Sequence, residues 1–146
     1  MQSGEYTVGQ LATAARTKAV TIRYYERQGL MRIPTRTPGG YRIYRSDDLD
    51  RLLFILRCRH FGFSLENVRE LLQLADQTDA PCAEVDAKVA RHLDEVRERL
   101  AELQSLEAEL QRLSRCCAGG GIVKDCRIIE SLSRDIGNSK TPACTP

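Results

Sequence analysis

The sequence predicts a mainly α fold in three parts: a small helical domain with a β hairpin, a long helix that pairs with a second copy of itself, and a short cysteine-bearing loop. Three observations carry that expectation. Apolar residues recur at helical spacing from Val8 until Gly29, and Pro38-Gly39-Gly40 then marks a turn. A near-heptad apolar seam then runs from Val85 to Leu113 with no Gly or Pro inside it. The stretch RCCAGGGIVKDC, residues 115–126, ends that helix in glycines flanked by thiols.

The 146 residues suit one domain with an appendage. With 42% apolar and 29% charged residues the chain has enough apolar material to fold and too little net charge for global disorder. No apolar run approaches the roughly 18 residues of a membrane span. The start MQSGEYTVGQ lacks a basic stretch followed by an apolar one, so a cytoplasmic protein with no membrane partner is expected. In that compartment the cysteines are expected to be thiols available for metal or redox chemistry. Residues 1–63 hold 11 Lys+Arg against 5 Asp+Glu, whereas residues 64–146 hold 11 against 15. A basic first half fits a polyanion-binding module, or simply a solvated basic surface.

The elements follow in order. Val8, Leu11, Ala12 and Ala15 share a helix face, with Thr7 as N-cap. A second helix spans about Val20 to Gln28 and stops at Gly29. Across the turn Arg16-Thr17-Lys18 these two form a helix-turn-helix whose second helix carries Arg23, Tyr24 and Tyr25. The prolines of 30–45 exclude a helix there. Arg32-Ile33 and Tyr41–Tyr44 flank the Pro-Gly-Gly turn as the arms of a wing that presents Arg36, Tyr41 and Arg42 to phosphate. Ser46-Asp47-Asp48 caps a helix with apolar residues at 49, 52, 53 and 56 and a basic face of Arg51, Arg57 and Arg59. Phe61-Gly62-Phe63 breaks it. Ser64 then caps a helix that turns Leu65, Val68, Leu71, Leu72 and Ala75 to a core.

The long helix begins after Pro81. Its seam is flanked by charge, so a monomer cannot bury it, and a homodimer is the simplest cover. Packing on the chain's own first domain is the alternative, but a helix of roughly 45 Å outruns it. Cys82 and Cys117 lie at opposite ends, about 50 Å apart along one helix. If two copies pair antiparallel, Cys82 of one chain meets Cys117 and Cys126 of the other, giving two equivalent sites per dimer. An all-thiolate set suits divalent soft ions: Hg, Pb, Cd or Zn. Three thiolates make a trigonal site, and Cys116 would make it tetrahedral. Cys58 reads as a core residue, His60 and His92 as surface or core residues, and Cys144 as a thiol in a flexible tail.

On TIRYYERQGL (21–30), RTPGGYRIY (36–44), LRCRHFGFSLENVRELL (56–72), the long helix, and Cys82 with Cys117-x8-Cys126, the chain resembles the MerR family of bacterial transcriptional regulators, in its divalent metal-sensing branch. The resemblance covers essentially residues 5–135. It implies a winged helix-turn-helix DNA-binding domain joined to a long antiparallel coiled-coil dimerisation helix and a C-terminal metal-binding loop. It also implies a homodimer on a promoter palindrome that distorts an overlong spacer so that RNA polymerase engages both promoter elements. By position it assigns Lys18, Arg23 and Tyr24 to the helix-turn-helix contacts, Arg36, Tyr41 and Arg42 to the wing, and Arg59 to the second helix pair. Cys82, Cys117 and Cys126 match the mercury and lead/cadmium sensors. Vicinal Cys116-Cys117 resembles zinc sensors, whose loop His is absent here. The domain plan is 1–75 for DNA binding, 76–116 for linker and dimerisation helix, 117–135 for the metal-binding loop and short helix, and 136–146 for the tail. A thiol-redox regulator on the same scaffold is the alternative; no pocket motif or acid–base pair suggests an enzyme.

Overall fold

Thr7 opens the first helix for a local reason. Its hydroxyl accepts the Gln10 N–H at 3.3 Å, while the Gln10 carboxamide oxygen accepts the Thr7 N–H at 2.9 Å. The computed structural model describes residues 4–117, 119 and 121–133. Helix α1 runs Val8–Ala14 and α2 runs Ala19–Arg27. Each ends in the same motif. Beyond α2, Gly29 takes φ +71°, its N–H donates to the Glu26 carbonyl, and the Leu30 N–H donates to Tyr25. Beyond α1 the left-handed position is filled by Arg16 at φ +52°, a conformation that costs a side-chain-bearing residue strain.

The hairpin differs from the expectation in its first arm. Strand β1 is Thr35–Arg36 and β2 is Arg42–Ile43, antiparallel, with Thr35 opposite Ile43 and Arg36 opposite Arg42. The Gly40 N–H donates to the Thr37 carbonyl at 2.8 Å, so the turn is Thr37–Gly40 and pairing resumes directly on either side of it. Arg32-Ile33 lies beyond Pro34, which has no N–H for a ladder, and Ile33 is exposed. Tyr44 continues past β2 to bridge Tyr6.

Helix α3 (Ser46–His60) is capped one residue before the expected cap, which is itself helical. Arg45 is the N-cap, and the Asp48 carboxylate reaches back to accept its N–H at 2.8 Å. Leu52 and Ile55 are buried, whereas Leu53 is exposed. Helix α4 (Leu65–Asp76) has Ser64 as N-cap, accepting the Asn67 N–H at 3.1 Å; Ala75, expected in the core, is exposed. Helix α5 (Cys82–Ser114) is 33 residues long and has no buried residue. A single 3-10 turn (Val123–Asp125) leads to α6 (Arg127–Leu132).

The chain divides into two units, 1–89 and 90–146. The core lies in the first, where Leu11, Ile22, Leu30, Tyr44, Leu52, Ile55 and Val68 are fully buried and Val85 packs against the cluster from the start of α5. In the second, Leu93, Val96, Leu100, Leu103, Leu106 and Leu110 are each 46–56% exposed, which for a leucine-rich helix face means an uncovered seam. Among the described residues no helix is long and apolar enough to cross a membrane. The expected flexible tail, with Cys144, lies outside the described residues.

Candidate metal centre and nucleic-acid interface

Two cysteines separated by a glycine-rich loop meet because the chain folds back through one tight turn. The Asp125 N–H donates to the Ile122 carbonyl at 3.0 Å and the Cys126 N–H to Val123 at 3.1 Å. Cys126 thereby becomes the N-cap of α6, with its sulfur 3.8 Å from that of Cys117. Two metal–sulfur bonds of about 2.3 Å at a tetrahedral angle place their sulfurs about 3.8 Å apart, so the spacing fits two ligands of one ion. The Cys126 thiol is shifted below its ordinary range. The Ile129 backbone N–H contributes most, then the Ile128 N–H and the Cys117 thiol, against a smaller opposing desolvation. All three favour the thiolate, the form that binds metal.

Cys82 is exposed at the first residue of α5. Cys116 lies just past the end of α5, with its sulfur 3.2 Å from the Arg112 carbonyl oxygen. Cys58 is half-buried against the core, and burial pushes its thiol up, away from reactivity. Among the described residues no group of three or more His, Cys, Asp or Glu side chains is placed to hold a metal ion within the chain.

The basic residues gather around α2 and the hairpin. Helix α2 buries Ile22 and Tyr25 and leaves Arg23 and Tyr24 exposed, while Lys18 is exposed at its N-cap. Arg36 and Tyr41 are exposed on the wing, with Arg36 Nη1 donating to the Gly40 carbonyl at 3.2 Å. Arg42 is half-buried, its Nε 3.4 Å from the Glu26 carboxylate. Arg59 is exposed but gives Nη1 to the Phe63 carbonyl at 2.6 Å, pinning the α3–α4 turn with one of its five donors. Arg51, read as part of the same basic face, instead donates Nε to the Leu30 carbonyl at 2.6 Å.

Residues 6–75 match the family model for the MerR HTH family regulatory protein, and residues 49–113 match the model for MerR, DNA binding. The chain is 43% identical over 138 residues to the HTH-type transcriptional regulator ZntR of Escherichia coli (strain K12), covering 93% of this chain and 98% of that one. This chain belongs to the MerR family. Among solved structures it is similar to the transcription regulator PbrR691 from Ralstonia metallidurans CH34 in complex with lead(II). That match has a TM-score of 0.80 and 39% identity, over 88% of this chain and 99% of that one. It is also similar to the dual function regulator MerR from Bacillus megaterium MB1 in complex with mercury(II), with a TM-score of 0.68, 31% identity, and coverage of 88% and 100%. These relatives place it in the metal-sensing branch of the MerR family. It is a DNA-binding transcription regulator, not an enzyme.

Two features of this MerR-family site escaped the sequence reading. The N–H groups that stabilise the Cys126 thiolate could have been anticipated, because a cysteine directly before a short apolar run is an N-cap candidate. Glu26, the acid between Arg23 and Arg27, binds both Arg42 and the Tyr44 hydroxyl. Its only signal was an isolated negative charge in a basic stretch.

Proposed function

We propose that two copies of the chain pair antiparallel on a promoter palindrome and respond to a divalent thiophilic ion, Hg, Pb, Cd or Zn. Cys82 of one chain and Cys117 and Cys126 of the other hold the ion. Cys116 would supply a fourth ligand. The dimer then distorts the promoter so that RNA polymerase transcribes metal resistance or efflux genes.

The observation that carries this reading is the Cys117–Cys126 pair, with sulfurs 3.8 Å apart and the Cys126 thiolate favoured. The seam supports the dimer. Reflected about a point between Arg99 and Leu100, Val89 falls on Leu110, Leu93 on Leu106 and Val96 on Leu103. An apolar stripe that maps onto itself when reversed is what an isologous antiparallel interface needs. The same reflection carries Cys82 onto Cys117, so covering the seam delivers the third thiol to the pair. When bound, the ion supplies a cross-link between the two chains. The chain's own residues do the rest: the three thiols give up protons to bind, and Lys18, Arg23, Tyr24, Arg36, Tyr41, Arg42 and Arg59 keep the dimer on DNA, mostly through phosphates.

The test is run-off transcription from the chain's own promoter with Hg, Pb, Cd and Zn under reductant, beside metal stoichiometry. The reading expects induction by at least one ion at one ion per site. Transcription that stayed flat with every ion, or that answered to peroxide in place of metal, would turn the assignment to the thiol-redox reading.

A further inference from the structure

We propose that Glu26 is a specificity-determining residue of DNA binding, acting by holding the wing's Arg42 against the recognition helix α2. The proposal rests on the reading of Arg42 as a wing contact to phosphate.

A carboxylate is out of place on the basic side of this chain. Near phosphates it repels the ligand that the surrounding arginines attract. Glu26 nevertheless sits there with its side chain only 11% exposed, tied to two partners. One carboxylate oxygen accepts the Tyr44 hydroxyl. The other lies 3.4 Å from Arg42 Nε. Tyr44 is itself immobile: its ring is fully buried, and its backbone exchanges both hydrogen bonds with Tyr6, at 2.8 and 2.9 Å. Burial first, and then the Glu26 carboxylate, hold its phenol far above the ordinary range, so it remains a donor. Arg42 pairs with Arg36 across the hairpin. One carboxylate therefore links α2, β2 and, through Tyr44, the segment before α1.

The consequence for recognition is physical. A free arginine on a flexible stem adapts to any phosphate within reach, and that adaptability favours all DNA equally. A guanidinium drawn by charge to a carboxylate on one side, here at 3.4 Å, has its two amino groups biased toward the other. It meets a phosphate only on a duplex whose backbone runs through that place. The adjacent carboxylate also cancels one positive charge that non-specific DNA would otherwise exploit. Glu26 thus trades general affinity for discrimination.

The experiment uses the full chain with two duplexes, one selected in vitro by the wild-type protein and one scrambled to the same length. Glu26→Gln keeps an acceptor for Tyr44 and removes the charge from Arg42. Binding of the scrambled duplex should tighten about threefold and its salt dependence steepen by up to about one unit of log–log slope. The ratio of selected to scrambled affinity should fall about fivefold, the scale of one partly exposed ion pair. In an Arg42→Gln background, Glu26→Gln should leave the ratio within about twofold, because the effect runs through Arg42. Tyr44→Phe removes the other partner and should lower Tm while preserving the ratio. An unchanged ratio in the single Glu26→Gln variant overturns the proposal, and so does an equal fall in the Arg42→Gln background. If Arg42→Gln alone left affinity and salt slope untouched, the wing reading of Arg42 would fail, and the proposal with it.

Discussion

The two units of the chain use their apolar residues in opposite ways. In residues 4–89 the leucines, isoleucines and valines of α1 to α4 close a core within one polypeptide, and even the polar side chains serve it: Arg51 and Arg69 donate to the carbonyls of Leu30 and Gln28, tying down the end of α2. Among the described residues of 90–133 none is buried, although Leu93 to Leu113 repeat as regularly as any core helix. Periodicity alone does not say what an apolar face packs against. The first unit answers within its own chain, whereas the described residues of the second leave the seam uncovered.

Substitutions should separate the two units, the largest effect coming at the seam's midpoint. Leu100→Lys sets two like charges against each other across an antiparallel dimer and should weaken dimerisation at least about a hundredfold, given some 3–5 kcal/mol for an unpaired buried charge. Sedimentation equilibrium measures this, and an intact dimer would mean that the seam is not the interface. Leu52→Ala acts on the other unit. Leu52 is fully buried, so the substitution should cost about 2–5 kcal/mol of unfolding free energy by urea titration, with dimer affinity little changed. Cys117→Ser should abolish metal binding and induction while leaving DNA affinity within about threefold, since its sulfur lies in the second unit and contributes nothing to the core. A fall in DNA affinity as large as the loss of metal would merge the two roles.

A smaller effect is read by pH. Because the Cys126 thiol is shifted down, its thiolate persists to lower pH than that of an ordinary thiol. Iodoacetamide labelling of Cys126 should therefore show a pH midpoint below that of a model thiol. The stabilisation associated with the shift is present above the ordinary thiol pKa and fades as pH falls through the lowered one. The smallest change concerns Arg16. Giving its left-handed position a glycine, Arg16→Gly, should raise the stability of the first unit by up to about 1 kcal/mol.

The sequence made legible whatever is decided locally. Thr7 and Ser64 cap, Gly29 terminates, and Pro81 precedes the long helix, because each acts within three or four residues of itself. It failed where the answer is tertiary. Leu53 and Ile55 lie on opposite flanks of the stripe formed by Leu49, Leu52 and Leu56, so the 3.6-residue period leaves open which flank is buried. The packing of the neighbouring helices chose Ile55. Arg32-Ile33 looked like a strand until the Thr37–Gly40 turn fixed the pairing three residues further on, at Thr35–Arg36. Of the candidate site, the approach of Cys117 and Cys126 was suggested by two thiols flanking a glycine-rich stretch. The thiolate-stabilising N–H groups and the Glu26–Arg42 link depend on backbone direction and on a hairpin folding back to α2, and neither is written in a pattern of residue types.

The measurement that bears most directly on the shared site is subunit mixing. A Cys82→Ser chain and a Cys117→Ser chain each form homodimers in which every site lacks a thiol, and neither should hold metal tightly. Equilibrating the two creates heterodimers in which one site has lost both thiols and the other is intact. Metal titration of purified heterodimer should then recover one tightly bound ion per dimer. Recovery of none would mean that the cysteines ligate within one chain, and would contradict the antiparallel account.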